Sequence, residues 1–290
     1  MFDEGRPSRY DPLCPMSINA VLGTLGFHLD GRACRVGCEF CYLGLREGAG
    51  DRALDRALGP AVAARVVALA PARDIAVAIS EPARRWRAGL EAVVAAARAR
   101  GLPVAITTTP EVVAADPWVT DGASRLTVSV DPMKGPAVDV AALRSVLASV
   151  TRPGLEIVAL PSLVTPAFAD RLADGLLGEL IALPEIDLVA LNGLKPPPLW
   201  CDRRFWLGFL ARIRGLLDQH LWRRLHLDCY VAARILGLGA CPAKPDVSAG
   251  REFRACVYQA APSFVFADAE ELARRTADYR PPDVCPFPIR

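Results

Sequence analysis

The sequence predicts an α/β protein in which parallel strands alternate with crossover helices. Six short apolar runs recur along the first two thirds of the 290-residue chain, and amphipathic segments with helical spacing separate them. The first run is followed by closely spaced cysteines rather than by a glycine-rich dinucleotide-binding turn. Because functional loops of β/α barrels leave the carboxyl ends of the strands, we predict a partial (β/α)6-type, TIM-like barrel with a C-terminal loop and helix extension.

The apolar runs place the predicted strands at 20–29, 74–79, 103–109, 125–130, 155–160 and 187–192. Apolar residues recur at three- and four-residue intervals in the predicted helices 53–70, 84–101, 138–150 and 166–184. A further amphipathic helix is predicted over 203–224, a seventh strand or sheet edge over 225–231, and one helical stretch near 268–279. We divide the chain into an N-terminal segment 1–17, a barrel 18–235 and an extension 236–290 that serves as a lid or contacts the substrate.

The amino-acid composition limits the classes of protein to which this chain can belong. With 52% hydrophobic and 23% charged residues, the chain can bury a large core. The net charge of +2 argues neither for nor against a polyanionic partner. No uninterrupted apolar stretch approaches membrane-spanning length, and the start of the sequence lacks a secretory signal pattern. We therefore expect a cytoplasmic protein, in which clustered thiols bind metal or act in catalysis rather than form disulfides.

Three of the nine cysteines, Cys34, Cys38 and Cys41, lie in the sequence "CRVGCEFCY" just after the first predicted strand. Three thiolates on one loop suit a [4Fe–4S] cluster, because they leave the fourth iron open to another ligand. Zinc is less favoured, because zinc sites use four ligands, often as pairs, and the three histidines form no pair at ligand spacing.

This motif is similar to the C-x3-C-x-aromatic-C signature of the radical S-adenosylmethionine (radical SAM) superfamily, and the resemblance covers roughly residues 18 to 230. It implies a [4Fe–4S] cluster and S-adenosyl-L-methionine as cofactors. It also implies reductive cleavage of that cofactor, which starts radical chemistry on a substrate that the sequence does not identify. The electron would come from a reductant such as flavodoxin or ferredoxin. In the family the motif follows the first strand of a partial barrel, in agreement with the strand assignment above.

The resemblance also implies residues that bind the cofactor. The second strand ends in "AISEP", where Glu81 and Pro82 match a family turn that holds the cofactor's amino group, although Ile79 and Ser80 replace its glycines. The implied cofactor-binding residues are Phe40 and Tyr42 near the adenine, Ser80 and Glu81 near the amino group, and Ser129 or Asp131 near the ribose. Two of these residues have an alternative interpretation. Glu81 could belong to a turn that starts the next helix, and Asp131 could cap the end of the fourth strand.

Further candidates lie downstream. Asn192 and Lys195 follow the sixth strand and would reach the catalytic face, but a solvated loop charge is the favoured interpretation of Lys195. The widely spaced Cys201, Cys229, Cys241, Cys256 and Cys285 lack a paired anchor, so we expect free thiols and one cluster per chain, with a second cluster as the alternative.

Two other functions stay open. One is a non-catalytic iron–sulfur or zinc-binding protein. The other is a nucleic-acid-binding protein that uses the arginine-rich helices 84–101 and 203–224, although alternation of arginine with apolar residues favours solvated faces.

Overall fold

The computed structural model describes residues 22–28, 58–79, 87–132, 139–194, 200–237, 245–248, 251–256 and 263–277. In this part of the chain, ten strands form one sheet. They are β1 (Leu22–His28), β2 (Ala72–Ala78), β3 (Val104–Thr108), β4 (Arg125–Val130), β5 (Glu156–Leu163), β6 (Leu188–Gly193), β7 (Leu225–Leu227), β8 (Asp246–Ser248), β9 (Glu252–Arg254) and β10 (Phe264–Val265).

The strand order is β10-β9-β8-β1-β2-β3-β4-β5-β6-β7, so the sheet of the described residues is open, with β10 and β7 at its edges. All pairs from β8 through β1 to β7 are parallel, and only β8–β9 and β9–β10 are antiparallel. This mostly parallel, unclosed sheet confirms the predicted partial barrel. The loops after β1 to β6 therefore leave from one edge, which we call the carboxyl edge.

Nine helices accompany the strands in the described residues: α1 (Pro60–Leu69), α2 (Arg87–Ala99), α3 (Pro110–Ala115), α4 (Val140–Ala148), α5 (Pro166–Arg171), α6 (Leu177–Ala182), α7 (Arg203–Arg214), α8 (Gln219–Trp222) and α9 (Ala269–Ala277). Short polar side chains cap several of them. Thr109 accepts a hydrogen bond from the backbone N–H of Val112, and Asp202 accepts one from Phe205. Such caps satisfy amide groups that the first turn of a helix leaves without partners.

The hydrophobic core lies between the helices and one face of the sheet. Alternate strand residues such as Leu25, Ile75, Ile106 and Leu126 are fully buried there. Because successive side chains of a strand point to opposite faces, the residues between them lie on the other face, which we call the inner face. In β/α barrels the active site lies at the carboxyl ends of the strands, so inner-face residues near the carboxyl edge are candidates for function.

The segment after β7 extends the sheet beside β1. Gly26 of β1 donates its N–H to the Pro245 carbonyl at 2.8 Å. A Cβ at Gly26 would lie only 2.8 Å from Oδ1 of Asp246, so the close approach of β8 requires a glycine here. The sequence predicts an extension in this region but no strands.

Some predicted elements differ from the observed ones. The strand or edge predicted over 225–231 is the short strand β7, which ends at Leu227. The single helix expected over 203–224 is two helices, because α7 ends at Arg214 with Gly215 as its C-cap, and Asp218 caps α8. The helical stretch 166–182 contains a π-helical segment, Leu172–Leu176, in which Gly175 has a φ of 141°. In the described part of the chain, no helix is both long enough and apolar enough to span a membrane.

Candidate functional site

The residues predicted from the sequence fall into two groups. The first group lies outside the described residues and comprises Cys34, Cys38, Phe40, Cys41, Tyr42, Ser80, Glu81 and Lys195. Ser129, Asp131 and Asn192 are described, and all three lie at the carboxyl edge. The geometry of the site is therefore built from β4, β5 and β6.

β4 contributes two buried polar residues. Ser129 alternates with Val128 and Val130, which belong to the core, so its hydroxyl lies on the inner face. Asp131 follows directly after the strand. Only 5% of Ser129 and 3% of Asp131 is exposed. Polar groups withdrawn from water at a strand end need partners, and these two are suited to hold a ligand with hydroxyl groups.

β5 and β6 contribute a second polar pair, at the same edge. Ser162 and Asn192 are direct register partners. The Asn192 side-chain amide donates to Oγ of Ser162 over 3.1 Å. This contact leaves the Asn192 carbonyl oxygen and the Ser162 hydroxyl hydrogen for a further partner. Asn192 was predicted from the sequence, whereas Ser162 was not, because its only signal is a serine near the end of a predicted strand.

Asp228 fixes the position of this pair. Its two carboxylate oxygens accept hydrogen bonds from the backbone N–H groups of Gly193 and Val231. The contact joins the end of β6 to the helical turn after β7. A Cβ at Gly193 would lie 2.9 Å from Cγ2 of Val231, so glycine is required where these elements meet. This anchor was not predictable from the sequence, because Gly193 and Asp228 are 35 residues apart along the chain.

A charged group lies further from the carboxyl edge, on the inner face. Arg125 and Glu156 are register partners joined by an ion pair of 2.5 Å. Burial raises the pKa of Asp74 on β2, and a hydrogen bond from Thr24 and the charge of Arg125 oppose this shift. Burial also lowers the pKa of His226 on β7, with a smaller contribution from Arg125. In β/α barrels, residues at this end support stability rather than chemistry.

Three of the downstream cysteines are described, and their surroundings differ. Cys201 is fully buried, and burial raises the pKa of its thiol to about 12. Cys256 is also buried, whereas Cys229 is half-buried. Burial favours the neutral form of the Cys201 thiol, which suits a position in the core. In the described residues, no group of three His, Cys, Asp or Glu side chains could hold a metal ion. The expectation of free thiols and one cluster per chain stays a prediction, because Cys241 and Cys285 lie outside the described residues.

Comparison with known proteins extends the fold assignment. No family model matches this sequence, and no curated protein matches it. Among solved structures, one of native anSMEcpe with bound AdoMet and Cp18Cys peptide is similar, with a TM-score of 0.56. The chain shares its fold with this protein. The match covers 88% of this chain and 79% of that chain at 13% sequence identity.

A second solved structure is more distant. The match to a Rubisco-like protein from Rhodopseudomonas palustris covers 73% of this chain and 60% of that chain at 15% identity. Its TM-score is 0.29, which is too low to support any argument about this protein. Because the sequence identity to anSMEcpe is only 13%, that comparison is evidence on the fold alone.

Proposed function

We propose that this protein is a radical SAM enzyme acting on a substrate that neither the sequence nor the fold identifies. The observation that carries the proposal is the position of the cysteine motif. Cys34, Cys38 and Cys41 follow β1, which lies in a parallel sheet whose fold is shared with anSMEcpe, a radical SAM enzyme. Loops after such strands supply the reactive groups in β/α barrels.

The three cysteines would hold three irons of a [4Fe–4S] cluster. When bound, the cluster and S-adenosyl-L-methionine together supply the reducing electron and the carbon radical. Phe40 and Tyr42 would contact the adenine, and Ser80 and Glu81 the amino group of the cofactor. A carboxylate is a suitable partner for an ammonium group. These roles follow from the resemblance of the motif.

The described polar residues fit a nucleoside at the carboxyl edge. Ser129 and Asp131 offer a hydroxyl and a carboxylate at the end of β4, where a ribose would need acceptors and donors. Ser162 on β5 and Asn192 on β6 offer the remaining hydrogen-bonding groups. Ser129, Asp131 and Ser162 are buried, and a site withdrawn from water would protect a radical from side reactions. This arrangement supports the proposed cofactor site.

The reaction would also need an electron donor, and the C-terminal extension and the number of clusters have proposed roles. A reductant such as flavodoxin or ferredoxin would supply the electron in the cytoplasm. The extension, 236–290, would cover the mouth of the barrel or contact the substrate. We expect one cluster per chain, which means about four irons.

Anaerobic reconstitution tests the metal centre. The wild type should bind about four irons and absorb near 400 nm, as thiolate-bound clusters do. Replacing Cys34, Cys38 and Cys41 together by alanine should abolish both signals. A triple variant that keeps its iron and colour would show that the cluster is held elsewhere. Zinc in place of iron would favour the non-catalytic metal-binding alternative.

Cofactor cleavage tests the enzyme. With a strong reductant and S-adenosyl-L-methionine, the reconstituted protein should release 5′-deoxyadenosine. Glu81→Ala, and separately the pair Ser162→Ala with Asn192→Ala, should weaken cofactor binding by about tenfold each, the loss expected when one or two ligand hydrogen bonds are removed. The iron content should stay unchanged. Unchanged cofactor affinity in both variants would refute these assignments.

A further inference from the structure

The strands after β7 carry polar side chains on the inner face of the sheet. Val247 of β8 and Phe253 of β9 belong to the core and are fully buried. Because side chains alternate between the two faces of a strand, their neighbours in β8 and β9 lie on the inner face. These inner-face residues, which we call the β8–β9 cluster, are Asp246, Ser248, Glu252 and Arg254.

The β8–β9 cluster lies beside β1, near the carboxyl edge. β8 runs parallel to β1, and Ser248 pairs with His28, the last residue of β1. The chain continues from His28 into the loop that contains the cysteine motif. Glu252 accepts a hydrogen bond from Oγ of Ser248 at 3.2 Å, so the side chains of the cluster reach this end of the strand. A group bound by the cluster would therefore lie next to the start of that loop.

A row of small residues lies beside the cluster. Gly26 of β1, Ala76 of β2 and Ala105 of β3 are consecutive register partners on the inner face. All three are partly exposed, so solvent reaches the row. A Cβ at Gly26 would lie 2.8 Å from Oδ1 of Asp246, which shows that this carboxylate reaches across Gly26. The row therefore has the β8–β9 cluster at one end and no large side chain of its own to fill the space above it.

Arg254 has buried donor groups without acceptors. Only 8% of this residue is exposed. Its Nη2 donates to Oε2 of Glu252 at 2.9 Å, the oxygen that also accepts the Ser248 hydroxyl. Nε and Nη1 are buried, and among the described residues neither has a hydrogen-bond partner. Burying charged donors without acceptors is costly, so these two groups indicate that an acceptor comes from another molecule.

The charges around Arg254 limit the kind of acceptor. The cluster contains one guanidinium and the carboxyl groups of Asp246 and Glu252, so an anionic ligand would add negative charge where acidic groups already outnumber the basic one. A carbonyl oxygen accepts hydrogen bonds without adding charge. Nε and Nη1 are separate donors and need two such oxygens. A peptide backbone supplies a carbonyl oxygen at every residue, and its N–H groups suit the neighbouring carboxylates.

We propose that Arg254 binds backbone carbonyl oxygens of a peptide substrate that lies over the row of Gly26, Ala76 and Ala105. The row would admit the flat peptide unit, because no side chain longer than a methyl group rises from it. Arg254 would position the substrate beside the loop after β1 and take no part in the chemistry. This inference deepens the proposed function, on which it rests for the reaction itself.

A small neutral peptide tests the site. The probe is N-acetyl-triglycine amide, which has no charge and no side chains, at concentrations up to about 10 mM because small ligands bind weakly. Its binding is followed on the isotope-labelled full chain as purified, through the NMR resonance of the Arg254 Nε–H group. That resonance, identified as the signal missing in Arg254→Lys, should shift in a saturable manner as the probe is added. Because this measurement needs neither iron nor cofactor, its failure is distinguishable from failure of the radical SAM proposal.

Two variants and one control locate the probe. Arg254→Lys keeps the positive charge beside Glu252 but removes the Nε and Nη1 donors, so the affinity for the probe should fall at least about tenfold, as expected when hydrogen bonds to a charged group are lost. Ala76→Leu leaves Arg254 intact and should also lower the affinity about tenfold, because the leucine side chain and the probe cannot occupy the same space. Ala68→Leu is the matched control, because Ala68 is an exposed residue of α1. These affinities are measured by saturation-transfer NMR of the probe.

Several results would overturn the proposal. An Arg254 resonance that does not move with the probe would show that no peptide carbonyl binds there. A larger shift with acetate or inorganic phosphate would assign Arg254 to an anion instead. A shift with S-adenosyl-L-methionine at a lower concentration than with the probe would assign Arg254 to the cofactor. Equal affinities of the Ala76→Leu and Ala68→Leu variants would show that the probe does not lie over the row.

Discussion

Replacing Gly193 by alanine should destabilise the edge of the sheet beside the proposed active site. The new Cβ would lie 2.9 Å from Cγ2 of Val231 and 3.3 Å from Cζ2 of Trp206. Both neighbours are fully buried, so neither can move into solvent. Valine is also restricted to few rotamers. Overpacking of this kind costs about 1–3 kcal/mol, and the distances place Gly193→Ala within that range.

Urea denaturation followed by tryptophan fluorescence measures the loss in free energy of unfolding. If the dependence of this free energy on urea concentration is unchanged, the loss equals that slope multiplied by the shift in the urea midpoint. Gly178→Ala is the control, because its Cβ has open space, and helix propensity predicts a gain of up to about 1 kcal/mol. Val231→Ala removes the clashing methyl groups, so the double variant should recover about 1–2 kcal/mol relative to additivity. A loss below about 0.5 kcal/mol in Gly193→Ala, or strict additivity in the double variant, would refute the reasoning.

Two further predictions concern buried titratable groups. Because burial lowers the pKa of His226, the folded state resists its protonation, so stability is present above the ordinary histidine pKa and is lost as the pH falls below it. Urea denaturation between about pH 7.5 and about pH 5.5 should show that His226→Gln loses less free energy of unfolding than wild type as the pH falls. Equal losses in the two proteins would contradict this prediction. Cys201→Ser should lower the free energy of unfolding by about 1–3 kcal/mol, because it buries a hydroxyl group in the core. The amount of iron bound on reconstitution should stay constant. A lower iron content would show that Cys201 is a ligand.

The strands were predictable because their signal is local. The six apolar runs correspond to β1 to β6. The runs 103–109 and 125–130 match β3 and β4 within one residue, whereas the run 155–160 ends three residues before β5 does. A strand of this sheet buries one face fully, so apolar residues recur at every second position of its own sequence. Helix ends were less predictable. The break after α7 depends on Gly215 and the Asp218 cap, within a segment whose amphipathic pattern runs on without interruption.

The strand-end positions of three polar residues were predictable, because Ser129, Asp131 and Asn192 lie at the carboxyl edge as the strand pattern indicated. The cysteine motif stays a prediction, because it lies outside the described residues. Ser162 and Asp228 were not visible. Their importance comes from contacts with Asn192 and Gly193, which are 30 and 35 residues away along the chain.

The sequence by itself determined the order of the first six strands and their helices, the parallel class of the sheet that these strands form and the chemistry expected of the loop after β1. All of these follow from short-range periodicity and spacing. Only the tertiary structure decided that β8 pairs with β1, that Arg125 pairs with Glu156 on the inner face, and that α5 and α7 leave a groove between them. Such features depend on register and packing between segments far apart in the chain, and no local pattern records which distant residues will meet.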